Sequence, residues 1–81
     1  MIIQYHSRFR GNLLKFPKSI QEKFYKQAEF LLRDIRYPSL RAKKYDETKG
    51  VWQARVDADV RFYFLINDDV YLLLDIKKHP K

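Results

Sequence analysis

The chain has 81 residues, of which 46% are hydrophobic and 16% aromatic, and its formal net charge is +7. This length fits a single domain over residues 1–81, and the apolar content argues against disorder. The absence of cysteine excludes a disulfide scaffold and a thiolate metal site, and two histidines alone do not make a structural zinc site, so we expect no metal and no cofactor.

The charge and the hydropathy pattern also limit the possible partners. No apolar run approaches the ~20 residues that a membrane-spanning helix needs, so we expect a cytoplasmic protein with no membrane association. Seventeen Lys and Arg face ten Asp and Glu, which favours a nucleic acid or an acidic protein as partner, although solubility alone also accounts for such an excess.

The first third of the chain predicts one strand and two helices. Met1–Tyr5 is rich in strand formers, and Ser7 is placed to cap a short helix that ends before Pro17. Ser19 and Glu22 have the spacing of a capping box at the start of a second helix. That helix buries one stripe at helical spacing, composed of Ile20, Phe24, Gln27 or Ala28, Leu31 and Ile35. Pro38 disfavours helical geometry in the residue before it, so the helix ends in this region.

The segment from Val51 to His79 alternates in character with a period of two over three runs, which predicts three antiparallel strands. The apolar sets that should share the core are Trp52, Ala54 and Val56, then Phe62, Phe64 and Ile66, then Leu72, Leu74 and Ile76. The opposite face should carry Arg55, Arg61, Tyr63, Lys77 and His79. The connections at 57–59 and 67–69 have turn composition, and residues 41–45 form an extended piece before a turn closed by Gly50.

The predicted fold class is therefore α+β: a strand, two helices and a three-stranded antiparallel meander, with the helices packed on one sheet face. The other face stays open. Two arginines, a tyrosine, a lysine and a histidine on that face suit an anionic ligand.

Five segments follow one another along the chain: Phe16-Pro17-Lys18, the stretch from Tyr37 to Lys44, the stretch from Gly50 to Val56, Val60-Arg61-Phe62-Tyr63-Phe64, and Lys78-His79. In this order and spacing they resemble the RelE/ParE superfamily of toxins from type II toxin–antitoxin systems, with the RelE/YoeB-like mRNA interferases favoured. The resemblance covers most of the chain. It implies a ribosome-dependent mRNA endoribonuclease that inhibits translation, in which the RNA 2′-hydroxyl attacks the phosphodiester without a metal.

The resemblance also implies catalytic roles. Arg61 matches the strongly basic family position that clamps the phosphate, and Arg55 matches a second cation in the preceding strand. His79 is the general acid, with general base as the other option, because an imidazole exchanges protons near neutral pH. Glu47, or its neighbour Asp46, lies in the region where YoeB-like members keep a catalytic glutamate.

Substrate contacts and partners follow from the same resemblance. Lysines supply position-tolerant contacts to the RNA backbone, here Lys43, Lys44, Lys77 and Lys78. Many members have a tyrosine just after the last strand, where this chain has Pro80-Lys81, so Tyr63 is the substitute on the same face. Trp52 is most simply a core residue, and becomes a stacking platform only if it faces the arginines. A cognate acidic antitoxin should cover the basic face.

Two further functions remain open at this stage. A ParE-like toxin would inhibit DNA gyrase by protein contact, with the same sheet and no acid–base pair. A degenerate toxin-fold protein would bind only its antitoxin or RNA.

Overall fold

The computed structural model of this protein describes residues 1–79. It consists of a five-stranded mixed sheet with two helices packed on one face. The elements in chain order are β1 (Ile2–Tyr5), α1 (Ser7–Leu14), α2 (Lys18–Arg33), a 3₁₀ turn (Pro38–Leu40), β2 (Lys43–Asp46), β3 (Val51–Arg55), β4 (Val60–Asn67) and β5 (Val70–Lys78). The α+β class and the helix order are as predicted. Among residues 1–79, no helix is both long and apolar enough to cross a bilayer.

The sheet order is β1-β5-β4-β3-β2, so the predicted meander occupies its centre. Strands β2 to β5 pair antiparallel with their neighbours, whereas β1 pairs parallel with β5. The extended piece predicted near residues 41–45 is β2, which adds a fourth antiparallel strand and forms one edge. The predicted turns are confirmed where the backbone requires positive φ, at Gly50 (69°) and Asp68 (55°).

The hydrophobic core lies between the helices and the covered face of the sheet. The side chains at its centre are fully buried: Phe9, Phe24 and Leu31 from the helices, and Ala54, Phe62, Phe64 and Leu73 from the strands. The Phe24 ring links the two layers, with its centroid 5.0 Å from that of Phe9 and 5.4 Å from that of Phe62. Trp52 packs on this core and stacks on Phe64, so it faces away from the arginines.

Both predicted helix caps are wrong in detail. The N-cap of α1 is His6, whose Nδ1 accepts a hydrogen bond from the amide of Arg8, and Ser7 is the first helical residue. In α2 the N-cap is Pro17, and no side chain within the described residues caps the helix, so Ser19 and Glu22 form no capping box. The helix begins at Lys18, one residue before Ser19. The φ of Pro17 is fixed by its ring, here at −57°, and this value suits the residue at a helix entrance.

The core set predicted for β5 is also partly wrong. Ile76 is buried, but Leu72 and Leu74 are only partly buried, and Tyr71 and Leu73 occupy the core instead. The register shifts here, since Tyr63 pairs with Asp75 and Phe64 with Leu73, which leaves Leu74 as the extra residue of a β-bulge. A bulge breaks the strict period of two on which the prediction relied.

The last predicted core residue of β4 is exposed as well. Ile66 retains 40% of its accessible surface. It pairs with Tyr71 near the hairpin between β4 and β5, beyond the cover that the helices give.

Candidate functional site

A cleft of about 310 Å³ opens on the face of the sheet opposite the helices. Its lining residues come from four places in the chain: Arg41, Lys43, Gln53, Arg55, Arg61 and His79. Register explains the convergence, because Arg55 pairs directly with Arg61, and Arg61 pairs with Lys77 across the next strand. The alternation in the sequence therefore placed Arg55, Arg61 and His79 correctly on one face.

Arg55 and Arg61 form a pair of like charges directly opposite each other on neighbouring strands. Such pairs destabilise a sheet. Among the described residues no acidic side chain lines the cleft to offset them. Positive charge is thus concentrated where the fold alone would disfavour it.

Arg61 is held in place by the turn between β3 and β4. Its Nη1 donates to the carbonyl of Asp57 at 2.8 Å, and also to the carbonyls of Ala58 and Val60. The Asp57 carboxylate does not pair with Arg61: it accepts from the amides of Asp59 and Val60 and lies 3.9 Å from the Lys23 ammonium. The guanidinium is therefore oriented by backbone carbonyls, and within residues 1–79 no carboxylate neutralises it.

Arg55 contains a buried hydrogen-bond donor without an acceptor. Its Nε is inaccessible to solvent and has no partner in the described residues. An orphaned donor of this kind costs about 1–3 kcal/mol relative to a paired one. Its backbone is fixed from below by Gln27 on α2, whose Nε2 donates to the carbonyls of Arg55 and Ser39.

Gln27 was predicted only as an alternative to Ala28 in the buried stripe, and the structure buries both. Ser39 completes the arrangement, since its hydroxyl donates to the Gln27 Oε1 at 2.9 Å. A buried glutamine on an apolar stripe is the signal that sequence reasoning could have used, because a buried amide needs polar partners.

Arg41 is a cleft residue that the sequence interpretation missed. It follows the 3₁₀ turn with φ 46° and ψ 43°, the left-handed region that a residue with a Cβ seldom adopts. Its amide donates to the carbonyl of Pro38. The only sequence signal was its charge just before β2, because nothing in the sequence predicts left-handed geometry at an arginine.

His79 closes the cleft at the end of the last strand. Its backbone amide donates to the carbonyl of Asp59 at 2.7 Å, which continues the pairing of β5 with the turn that also holds Arg61. Its side chain is exposed and lines the cleft. An imidazole at this position can accept or donate a proton at a bound anion.

Tyr63 and Lys77 lie beside the cleft rather than in its lining. The Lys77 ammonium sits 5.0 Å from the centroid of the Tyr63 ring, and the Tyr45 ring packs edge-on against the same ring. Tyr63 keeps only 5% of its surface. Burial raises the pKa of the Tyr63 phenol, the nearby Tyr45 raises it further, and Arg61 opposes the shift.

The other predicted site residues lie apart from this cleft. Lys44 pairs with Trp52 and extends over the indole ring on the covered face, at 5.3 Å. Lys78 belongs to a separate hollow beside Phe16 and Ile76. Glu47 is exposed in the hairpin between β2 and β3, where Asp46 accepts a hydrogen bond from the amide of Lys49. At ~3.3 Å per residue, that hairpin is more than ~13 Å along β3 from Arg55.

The chemistry of the cleft is that of an oxyanion site. The guanidiniums of Arg41, Arg55 and Arg61 and the Lys43 ammonium offer donors that match phosphate oxygens, and arginine can bind two oxygens at once. No cluster of three or more His, Cys, Asp or Glu side chains suited to a metal ion occurs in the part of the chain described.

Comparison with solved structures gives matches over nearly the whole chain. The archaeal RelE–RelB complex from Pyrococcus horikoshii contains a chain similar to this one, with a TM-score of 0.78 at 21% identity over 94% of this chain and 91% of that chain. The protein has the fold of the RelE/ParE toxins. A YoeB/ParE toxin from Agrobacterium tumefaciens gives a TM-score of 0.80 at 13% identity, covering 99% of this chain and 100% of that chain.

YafQ from E. coli shares the RelE fold with this chain too, with a TM-score of 0.77 at 16% identity over 95% of this chain and 91% of that chain. No protein-family model matches the sequence, and no curated protein matches it. The fold expected from the resemblance is thus confirmed by structures whose sequences have diverged far from this one.

Proposed function

We propose that this protein is the toxin of a toxin–antitoxin pair and cleaves mRNA on the ribosome without a metal. The observation that carries the proposal is the Arg55–Arg61 pair, set in a cleft without acidic lining on the RelE fold. The two arginines carry like charges opposite each other, and the buried Nε of Arg55 has no partner. A bound phosphate would stabilise this arrangement, because its negative charge offsets the repulsion.

In the proposed reaction the 2′-oxygen of the RNA attacks the adjacent phosphorus, and the bond from phosphorus to the 5′-oxygen breaks. The products are a 2′,3′-cyclic phosphate and a 5′-hydroxyl. Arg61 and Arg55 stabilise the additional negative charge on the phosphoryl oxygens in the transition state, which needs donors already in position. The carbonyls of the turn at Asp57 hold Arg61 in that position.

His79 supplies the proton to the leaving 5′-oxygen in this scheme. Among the residues described, it contributes the imidazole of the cleft lining, and imidazole is the side chain most often used as a general acid or base. The proton of the 2′-hydroxyl needs an acceptor. Glu47, the base that the resemblance implies, lies more than ~13 Å along β3 from Arg55, too far from a phosphate held by both arginines. In this scheme His79 therefore accepts the proton of the 2′-hydroxyl and passes it to the leaving 5′-oxygen.

The proposed partner is an acidic antitoxin that covers the cleft and neutralises part of the +7 charge. Several structures with the same fold were solved as complexes with antitoxins, among them RelB–RelE from Methanococcus jannaschii and YoeB–YefM from Staphylococcus aureus. With mRNA on the ribosome as the target, the protein acts in the cytoplasm.

The test is in vitro translation followed by primer extension on the mRNA. Wild-type protein should produce defined cuts on ribosome-bound mRNA, and Arg61→Ala should lower the rate of cleavage on the order of 10²–10³-fold, as loss of a positioned donor does. Arg33→Ala, which removes the same charge from the exposed end of α2, is the matched control and should cleave normally. Uncut mRNA, or cuts unchanged by Arg61→Ala, would refute the proposal.

The second candidate is a ParE-like inhibitor of DNA gyrase, and one observation favours it. Within residues 1–79 the cleft lining offers one proton-exchanging side chain, His79, whereas acid–base catalysis needs an acid and a base. A gyrase supercoiling assay separates the two functions. Inhibition that survives His79→Ala, together with intact mRNA in the translation assay, would establish the non-enzymatic role, and failure of both assays would leave a protein that only binds antitoxin or RNA.

A further inference from the structure

One aromatic side chain of β2, that of Tyr45, is exposed beside a β-bulge. Lys44 pairs with Trp52 and Asp46 with Val51, so Tyr45 is the extra residue between them. Bulges are over-represented beside functional sites. Tyr45 follows Lys43 by two residues and so shares its face, and the Tyr45 ring lies on the open face with its centroid 4.9 Å from that of Tyr63 at an interplanar angle of 66°.

The two tyrosines differ in what they can contact. Tyr63 keeps 5% of its surface, with Lys77 and Tyr45 against its ring, so no ligand can stack on it. Tyr45 keeps 57% and is supported from below by Tyr63. The open face therefore presents an aromatic ring to solvent, with a second ring packed against it.

Tyr45 is also next to the cationic cleft. Lys43, which lines the cleft, precedes it by two residues on the same strand, a separation of roughly 7 Å at strand geometry. Proteins that bind single-stranded nucleic acid combine cations that track the backbone with an aromatic ring on which a base stacks.

Other exposed tyrosines do not offer this combination. Tyr37 stacks face to face on Phe30, with centroids 4.0 Å apart, so one of its faces is occupied. Tyr25 is on α2 beside Ile3 and Leu32, in a hollow on the covered side of the sheet.

We propose that Tyr45 is the base-stacking residue of this site: a nucleobase of single-stranded RNA stacks on its ring while the phosphate beside that nucleotide lies in the cleft. The inference rests on the proposed function for its ligand class and deepens it. It assigns base stacking to the residue that covers Tyr63, the substitute for the family tyrosine expected from the sequence.

The test measures binding of a 2′-O-methylated RNA hexanucleotide, which lacks the attacking hydroxyl, by fluorescence anisotropy. The same oligonucleotide with an abasic position is the second probe. Tyr45→Phe keeps the ring, and Tyr45→Leu keeps an apolar cover for Tyr63 but has no aromatic face. Thermal unfolding of both variants should match the wild type, since 57% of the side chain is already exposed.

Wild type and Tyr45→Phe should bind the intact hexanucleotide roughly 5- to 150-fold more tightly than Tyr45→Leu, the range for loss of one base–aromatic stack. Tyr45→Leu should bind intact and abasic probes equally, and the dependence of affinity on salt should stay the same because the phosphate contacts remain. Equal binding of the intact probe by Tyr45→Leu and wild type, no preference of wild type for the intact over the abasic probe, or no binding at all would overturn the inference.

A further arm uses hexaglutamate as an acidic peptide. If Tyr45→Leu weakens hexaglutamate binding as much as RNA binding, Tyr45 belongs to a protein-binding surface and the inference fails. The ribosomal cleavage assay is independent of this result: a base preference that depends on Tyr45 without mRNA cleavage would refute the nuclease proposal and retain the stacking role.

Discussion

The two faces of the sheet contribute to stability in opposite directions. On the covered face, Phe62 and Phe64 are fully buried and in contact with aromatic rings from α2 and β5. On the open face, Arg55 and Arg61 oppose each other with like charge, and one buried nitrogen has no acceptor. Neighbouring residues of the same strand therefore alternate between groups that stabilise the fold and groups that oppose it.

This contrast separates the face that stabilises the fold from the face that carries the candidate site. A chain of this length buries about 60–65% of its unfolded surface, so the covered face must supply most of the free energy of folding. The open face keeps an arrangement that a stability-optimised sheet would replace with opposite charges. Substitutions on the two faces should thus have different effects on unfolding and on activity.

The largest expected effect is on the covered face. Phe62→Ala should lower the free energy of unfolding by about 3–5 kcal/mol, because it leaves a cavity beneath Phe24 and Phe64. Equilibrium denaturation with urea measures the change. Ile66→Ala on the same strand is the control and should cost much less, since Ile66 is 40% exposed. Ile66 lies on the same side of β4, so equal losses for the two variants would mean that burial beneath the helices does not decide the cost.

Arg55→Met should separate activity from stability. It removes the like charge opposite Arg61 and the unpaired Nε, and keeps an unbranched apolar stem, so we expect the free energy of unfolding to stay unchanged or rise by about 1–2 kcal/mol. mRNA cleavage should fall on the order of 10²-fold through loss of a positioned donor. Denaturation and primer extension measure the two quantities, and a destabilised variant would show that the Arg55 charge supports the fold.

Arg41→Gly should give a smaller change of the same kind. Glycine relieves the left-handed backbone at φ 46°, so we expect a gain in stability of up to about 1 kcal/mol. Binding of the uncleavable RNA should weaken, and its salt dependence should drop by about one phosphate contact. Arg41→Ala should lose the same binding without the gain in stability, and identical melting curves for the two variants would contradict this account.

The smallest effect is expected for Glu47→Gln, which keeps the size of the side chain and removes its basicity. Because Glu47 is exposed in the hairpin remote from Arg55 along β3, we expect cleavage to change by less than about tenfold. His79→Gln is the matched comparison and should cost more. A drop on the order of 10² or greater in the Glu47 variant would establish it as the base and place the scissile phosphate near the hairpin.

The sequence alone determined the fold class, the two helices and the face on which Arg55, Arg61 and His79 meet. Those results depend on local periodicity, which is a property of successive residues: apolar side chains at helical spacing or in alternation bury one face whatever the partner. The resemblance to the RelE/ParE toxins rested on the order of such segments, and comparison with solved structures confirmed the fold that it implied.

Only the tertiary structure decided the rest. The bulges at Leu74 and Tyr45 depend on the register with a neighbouring strand, and the bulge at Leu74 placed Leu73 in the core against the alternation predicted for β5. The Arg41 backbone and the Gln27 bonds likewise depend on what lies opposite them in space. Pairing between distant segments is set by packing, and alternation along one strand carries no information about where its partner skips a residue.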